Sequence, residues 1–421
     1  MGQVGFGSYR ISVRSKVHRQ ALVSALELGC PLIDTSANYT NGESEELIGL
    51  VLMEHPEFRP LIVTKAGYIQ GKNLQILEEL NSQGLAIDDL VDLGSDLKHS
   101  IHPDFLKNQL DLSLKRLQKS SIDTFLLHNP EYYFKTEGAT QNEYYRRIEK
   151  AFRYLETEVN TGRIKSYGIS SNTFILPPSD KDATDLTRVL ELAKKISPKH
   201  HFTTIQFPFN LIEIGALEKL GEYGDQSLLE IAQQHGLVTM ANRPLNAFTA
   251  GQLVRLATYE TLTKDFDEVK AQEDFTLAMN IINAKLKTED DEAQLDVDDI
   301  GLMTQFKGLW STVTSPDAVE QIYHGHFFPF LAKLWGDNGL TAEEAVPFYK
   351  LFEHSQMFAR KNMTKKALDF KNQAASVGLI PQADDRLFAV QVIEAYLDYG
   401  IDYVLLGMKN PEYVKQVGHL F

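Results

Sequence analysis

From the N-terminus to about residue 245, short apolar runs rich in β-branched and aromatic residues alternate with stretches where apolar residues recur every three or four positions. That alternation is the signature of strands followed by amphipathic helices. The runs Pro31–Asp34, Leu61–Thr64, Ile122–Leu127, Ser166–Ile169, Thr203–Gln206 and Leu237–Met240 predict parallel strands, and Tyr403–Leu406 adds a late one. Helices are predicted between them over Val17–Leu28, Ser44–Met53, Pro103–Leu117, Tyr144–Thr161, Ala183–Ile196 and Gln226–Gln234. In the Pro103 helix, proline occupies the first turn, where its missing N–H breaks no bond, and Leu106, Leu110, Leu114 and Leu117 share one side.

Eight such units close a barrel whose functional groups gather at the carboxyl ends of the strands. An open doubly wound sheet would need a glycine-rich phosphate loop after its first strand, and GFGSYR spaces its glycines too closely for that. The expected fold class is therefore α/β, a (β/α)8 TIM barrel. From Phe248 to Gln382 mostly helical patterns take over, which reads as an insertion between strands 7 and 8. The expected organisation is a barrel over residues 1–247 and 383–421 and a helical insertion over 248–382. Within the insertion, Thr341-Ala342-Glu343-Glu344 has the form of a capping box with Leu340 as its staple, and Trp310 and Trp335 are assigned to the core or hinge.

Composition narrows the partners. The chain of 421 residues carries 42 Lys+Arg against 57 Asp+Glu, a net charge of -15, which argues against a nucleic-acid backbone as ligand. A hydrophobic content of 43% excludes a disordered chain. No run approaches the roughly 18 apolar residues of a membrane span, and the N-terminus lacks a signal-peptide core, so a soluble, cytoplasmic protein is expected. The lone Cys30 offers no internal disulfide and no thiolate zinc site. No metal is expected elsewhere. The acid-rich stretch Glu289–Asp299 lacks the Asp-x-Asp-x-Asx-Gly order of a calcium loop, and His324 and His326, two apart in a helix, do not share a face. His200 and His201 fall in a predicted surface turn. A small molecule is the expected partner.

Three strand ends finish in polar residues that a barrel core would reject unless a site used them: LIDTSANY (32–39), LIVTKAGY (61–68) and DTFLLHNP (123–130). Asp34 and Lys65 follow runs apolar enough to be buried, where either charge alone costs several kcal/mol, so they are expected to pair. With Tyr39 just beyond Asp34 and His128 ending a third strand, the four form a proton-transfer device. A phenol of pKa near 10 becomes a useful acid when an ammonium stabilises its phenolate, and Lys65 supplies that charge. Asp34 holds the lysine, while His128 hydrogen-bonds the substrate oxygen that Tyr39 protonates. Taken singly, each residue has a bland explanation in turns or core hydrogen bonds; jointly they favour catalysis.

The segments LIDTSANYTNGESEELIG (32–49), VTKAGYIQG (63–71) and FLLHNPE (125–131) resemble the Asp, Tyr, Lys and His tetrad of the aldo-keto reductases, in order and context. GISSNTF (168–174) and IQFPFN (205–210) resemble that family's cofactor-binding stretches, and the likeness covers roughly residues 1–247 and 383–417. The resemblance implies a (β/α)8 barrel that reduces an aldehyde or ketone, or runs the reverse alcohol oxidation, with NADPH and Tyr39 as general acid; NADH is the lesser option. It further implies that Ser171, Asn172 and Gln206 hold the nicotinamide carboxamide. In ANRPLNAF (241–248), Asn242 stands where the family usually has a stacking aromatic. In LLGMKNPEYVKQV (405–417), Gln416 and Val417 replace the usual Glu-Asn pair, leaving Lys409, with Arg243 second, as the phosphate partner.

The alternative is a non-catalytic dinucleotide-binding barrel acting as sensor or scaffold through its insertion. A Schiff-base role for Lys65 is weaker, since an adjacent Asp favours a charged lysine. The insertion leaves the rim where the tetrad gathers, so it either covers the barrel mouth or serves as an assembly surface.

Overall fold

The computed structural model describes residues 2–84, 87–219, 226–249, 252–286, 297–336, 339–382 and 385–421. The chain divides into two compact units, Met1–Leu253 with Val390–Phe421, and Val254–Ala389.

The first unit is a closed barrel of eight parallel strands. In chain order they are β1 (Gln3–Gly7), β2 (Leu32–Asp34), β3 (Leu61–Ala66), β4 (Ile122–His128), β5 (Ile164–Ser170), β6 (Phe202–Pro208), β7 (Val238–Asn242) and β8 (Tyr403–Gly407). Neighbours follow sequence around the ring, and β1 closes it by pairing with β8 on one side and β2 on the other. The fold class and the place of the insertion, between strands 7 and 8, are as expected. The strand that hydrophobic patterning did not find is β1. Gly5 and Gly7 dilute its apolar signal, yet a Cβ on Gly5 would lie 3.0 Å from Leu405 and 3.1 Å from Leu32, so the close approach of neighbouring side chains favours glycine there.

Helices Lys16–Glu27, Glu43–Glu54, Pro103–Leu117, Gln141–Asn160, Leu186–Ile196 and Leu228–Gln234 surround the strands. Their termini carry the local signals that start helices: Ser15, Thr140, Asp185 and Ser227 each accept a backbone N–H of the first turn. Between β3 and the Pro103 helix, the chain adds helix Lys72–Ser82 and a small antiparallel sheet of Tyr68–Ile69, Val91–Asp92 and Lys98–His99, none of which was predicted.

Inside the barrel, Leu32, Val63, Leu126, Met240 and Leu405 form one apolar layer. Side chains alternate along a strand, so residues two positions further on face the same way. Two steps beyond Leu32, Val63 and Leu126 stand Asp34, Lys65 and His128, which places three polar groups directly above an apolar floor at the carboxyl end.

The second unit has its own core, built from residues such as Ile282, Phe306, Tyr323, Phe330 and Leu351. Trp310 is buried there and stacks on Phe275 with ring centroids 4.3 Å apart, and Trp335 packs against the same cluster. Thr341 caps helix Ala342–Ser376 through a complete capping box with Glu344. His324 and His326 lie in a π-helical turn, Tyr323–Phe327, rather than an α-helix. Among the described residues, no three His, Cys, Asp or Glu side chains are grouped as metal ligands, and no helix is long and apolar enough to cross a membrane. The acidic residues 289–296 lie outside the described residues.

Candidate active site

Asp34 ends β2 with 4% of its surface exposed, and Lys65, on β3, has none. Burying either alone is prohibitive, and the geometry answers the cost: Lys65 Nζ donates to Asp34 Oδ1 at 2.6 Å and to the Thr35 carbonyl at 2.8 Å. Removing one partner of such a buried pair costs about 3–5 kcal/mol. The same Oδ1 accepts from Gln206 Nε2 at 2.8 Å, while Gln206 Oε1 accepts from Ser170 at 2.8 Å. Asp34 is thus held by groups from β3 and from β6, on the opposite wall. Burial holds the Lys65 ammonium below its ordinary pKa, with Asp34 opposing the shift.

Tyr39 follows β2 in a loop where Thr40 and Asn41 adopt left-handed backbone, φ 47° and 57°. Two successive non-glycine residues there store strain, and the loop is tied down by the Thr40 hydroxyl, which donates to the Ile11 carbonyl at 2.6 Å. Lys65 Nζ lies over the Tyr39 ring, 5.0 Å from its centroid, and the Tyr9 and His128 rings stand edge-on at 5.1 and 6.0 Å. The sequence argument expected Lys65 to lower the phenol's pKa. Instead burial, followed by Asp34, Tyr9 and Tyr68, holds it well above the ordinary value. Burial disfavours the phenolate most, and the Asp34 carboxylate, 2.6 Å from the ammonium, offsets part of the lysine's field in the resting site. The phenol therefore keeps its proton throughout the neutral range, which a proton donor requires.

His128 ends β4 and is 7% exposed, with Nδ1 3.0 Å from Ser36 Oγ. Burial first, then the charges of Lys65 and His99, push its pKa well below the usual histidine value, so the ring is neutral.

The other candidates occupy neighbouring strand ends. Ser171 and Asn172 follow β5: the Ser171 N–H donates to the Gln206 carbonyl at 2.9 Å, and the Asn172 N–H to Glu131 Oε1 at 2.9 Å. The Ser171 hydroxyl is engaged with Thr173 and Thr184 at 3.1 and 2.9 Å. Asn242 ends β7 with a buried Oδ1 that has no hydrogen-bond partner. Arg243 has φ 54° and is paired with Glu213 at 2.8 Å, so its guanidinium is already committed to a carboxylate. Lys409 sits half-buried after β8, where its charge faces His18. The structure gathers Asp34, Tyr39, Lys65, His128 and Gln206; Asn242 and Lys409 share no hydrogen bond with them.

Sequence reasoning missed the residues that support His128. The Tyr68 ring stands edge-on 4.7 Å from it, and the Tyr68 hydroxyl accepts from Asn129 Nδ2 at 2.7 Å. His99 Nε2 lies 2.7 Å from the His128 carbonyl, and burial lowers the His99 pKa to about 4. Tyr68 was visible as the aromatic three residues past Lys65, whereas His99 arrives on a small sheet that patterning did not find. Glu131, in the quoted FLLHNPE, was not singled out; burial raises its pKa to about 7 against the opposing N–H of Asn172.

A sequence model described as the aldo/keto reductase family matches residues 1–291. Aldo-keto reductase YhdN of Bacillus subtilis is 21% identical over 265 residues, 61% of this chain and 63% of that protein. The NADP(+) aldo-keto reductase yakc of Schizosaccharomyces pombe is 23% identical over 292 residues, 67% and 74% of the two chains. The match to YhdN thus spans just under two thirds of that relative's length. Among solved structures, glycerol dehydrogenase AKR11B4 from Gluconobacter oxydans aligns with a TM-score of 0.48 at 17% identity, covering 99% of this chain and 86% of that one. An aldo-keto reductase from Klebsiella pneumoniae in complex with NADPH aligns with a TM-score of 0.35 at 21% identity, covering 58% and 64%.

Proposed function

We propose, from the premise that this chain belongs to the aldo/keto reductase family, that it is an NADPH-dependent oxidoreductase that interconverts a small aldehyde or ketone and its alcohol, with Tyr39 as proton donor. One observation carries the reading: an Asp34–Lys65 pair buried beneath the Tyr39 ring, beside a neutral His128, at the carboxyl ends of three adjacent strands. When bound, the reduced dinucleotide would supply hydride to the carbonyl carbon.

As the carbonyl π pair moves to oxygen, Tyr39 gives that oxygen its phenolic proton. Lys65, nearest to the ring, stabilises the phenolate left behind, more strongly as that charge develops than in the resting state. Asp34 keeps the ammonium in place, and Gln206 and Ser170 keep Asp34 in place. His128 orients the substrate with a neutral ring nitrogen. The residues fit a nicotinamide dinucleotide in two respects. The unpartnered buried Oδ1 of Asn242 is an acceptor suited to an amide, and Lys409, half-buried after β8, brings a cation suited to a phosphate. Asn172 and Asn242 would hold the ring amide and Lys409 a phosphate, with Ser171 and Gln206 acting mainly by shaping the wall.

That Ser171 and Gln206 spend their side chains internally favours the second reading, a barrel that binds dinucleotide without turning over. One experiment separates the two: fluorescence titration with NADPH, then NADPH consumption with a panel of aldehydes, for wild type and Tyr39→Phe. The reductase reading expects both proteins to bind and the variant to lose about 10²–10⁴-fold in turnover. Binding without turnover in the wild type establishes the sensor, and an unimpaired Tyr39→Phe enzyme refutes the proton donor.

A further inference from the structure

Just past Tyr39 the backbone turns against the preference of its residues. Thr40, Asn41 and Gly42 have φ of 47°, 57° and 90°, three left-handed residues in succession. Glycine adopts that conformation freely and asparagine tolerates it, but a β-branched residue there is an outlier. A threonine thus stands where glycine would be the relaxed choice, and such strain persists only where the surroundings over-determine it.

The Thr40 hydroxyl supplies that constraint. It donates to the Ile11 carbonyl at 2.6 Å, and Ile11 is itself buried. The Ile11 N–H donates to the Ser8 carbonyl at 3.2 Å, and the N–H and hydroxyl of Ser8 both donate to the Asp34 carbonyl, at 3.0 and 2.8 Å. Ser8 is fully buried, and the Ser44 hydroxyl braces it at 2.8 Å. From Asp34 the chain runs on to Tyr39 and Thr40, so these bonds and the backbone form a closed circuit. It begins and ends at the residue whose carboxylate holds Lys65.

We propose that Thr40 is a positioning residue, whose hydrogen bond to Ile11 closes this circuit and fixes the Tyr39 ring over the Lys65 ammonium. The kinetic half of this rests on the reductase reading above. Without the bond the left-handed segment relaxes and carries Tyr39 with it, and a misplacement of about 1 Å at a reacting group can cost on the order of 10²-fold in rate. A bond that only offset strain would give another result. Glycine removes the strain together with the hydroxyl, so Thr40→Gly would then recover whatever Thr40→Val loses.

Three variants separate the two. Thr40→Val keeps the shape and the strain without the hydroxyl, Thr40→Gly removes both, and Thr40→Ser keeps the hydroxyl. Amide hydrogen exchange over residues 36–43, where the Tyr39 N–H is bonded to the Ser36 carbonyl at 3.1 Å, is read by mass spectrometry. Exchange should quicken about tenfold in Thr40→Val and Thr40→Gly and stay at the wild-type rate in Thr40→Ser. With saturating NADPH and the best-reduced aldehyde of the panel above, kcat should fall about tenfold or more in the first two and stay within about threefold in Thr40→Ser. The dissociation constant for NADPH should stay within about twofold in all three, which places the loss in the chemical step. Wild-type exchange in both Thr40→Val and Thr40→Gly overturns the tether. A wild-type kcat in Thr40→Gly, or a fall in Thr40→Ser as deep as in Thr40→Val, overturns the positioning role. No turnover of any aldehyde by the wild type overturns the reductase reading and the kinetic half with it, while exchange still decides the tether.

Discussion

Replacing Glu131 with glutamine should remove a loss of stability that the wild-type protein suffers as pH rises. The carboxyl is buried, and its pKa stands at about 7 against a reference value of 4.5. Below pH 4.5 both folded and unfolded chains hold the proton, and the group makes no difference. Between 4.5 and 7 the unfolded chain releases it and the folded one keeps it, so unfolding is progressively favoured. Above pH 7 both are ionised and the cost of the buried carboxylate is complete. A difference of that size corresponds to about 3 kcal/mol at roughly 1.4 kcal/mol per unit. Glutamine is near-isosteric, has no titration and still offers Oε1 to the Asn172 N–H. Urea unfolding of both proteins at pH 4.5 and pH 8 gives the difference of differences, in which the other titrating groups cancel. Glu131→Gln should be the more stable protein at pH 8, relative to pH 4.5, by about 3 kcal/mol. Parallel pH profiles for the two proteins would refute burial as the cause of the raised pKa.

Lys409→Ala should weaken NADPH binding about tenfold and leave NADH unchanged, because a 2′-phosphate offers the ammonium a charge-assisted contact that NADH lacks; equal losses for both dinucleotides in the same titration rule that contact out. Gly168→Ala should lower stability by about 3 kcal/mol or more, since overpacking against backbone has little room to relax. The new Cβ would sit 2.0 Å from the Thr204 carbonyl oxygen and 2.8 Å from Leu126, forcing β5 and β6 apart. A wild-type urea midpoint in that variant defeats the prediction.

What the sequence made legible was whatever repeats at a fixed period or ends an apolar run. Seven of the eight barrel strands and the positions of Asp34, Lys65 and His128 follow from alternation and from the anomaly of a charge after three apolar residues. β1 escaped because glycines demanded by close packing carry no hydrophobic signal. The small sheet bearing His99 escaped because two-residue strands are too short to show a period. Pairing partners were harder still. Nothing in the local pattern around Gln206 shows that its amide reaches Asp34 across the barrel, a bond that adds support for the carboxylate to the cofactor role expected of that residue. The direction of Tyr39's shift was misjudged for a related reason: the sequence suggested a nearby ammonium, but not that burial of the phenol would outweigh it.

The ring closes only when Gln3 finds Tyr403. A ribosome adds about 5–20 residues per second, so roughly 20–80 seconds separate the emergence of the first barrel strand from that of its last neighbour. Throughout that wait β1 offers one open row of N–H and C=O groups, a template on which another nascent chain could pair. The second unit, Val254–Ala389, is synthesised in the interval and lengthens it. The cellular yield of this protein should therefore depend on how well that edge is shielded during synthesis, a quantity that the stability of the finished barrel does not report.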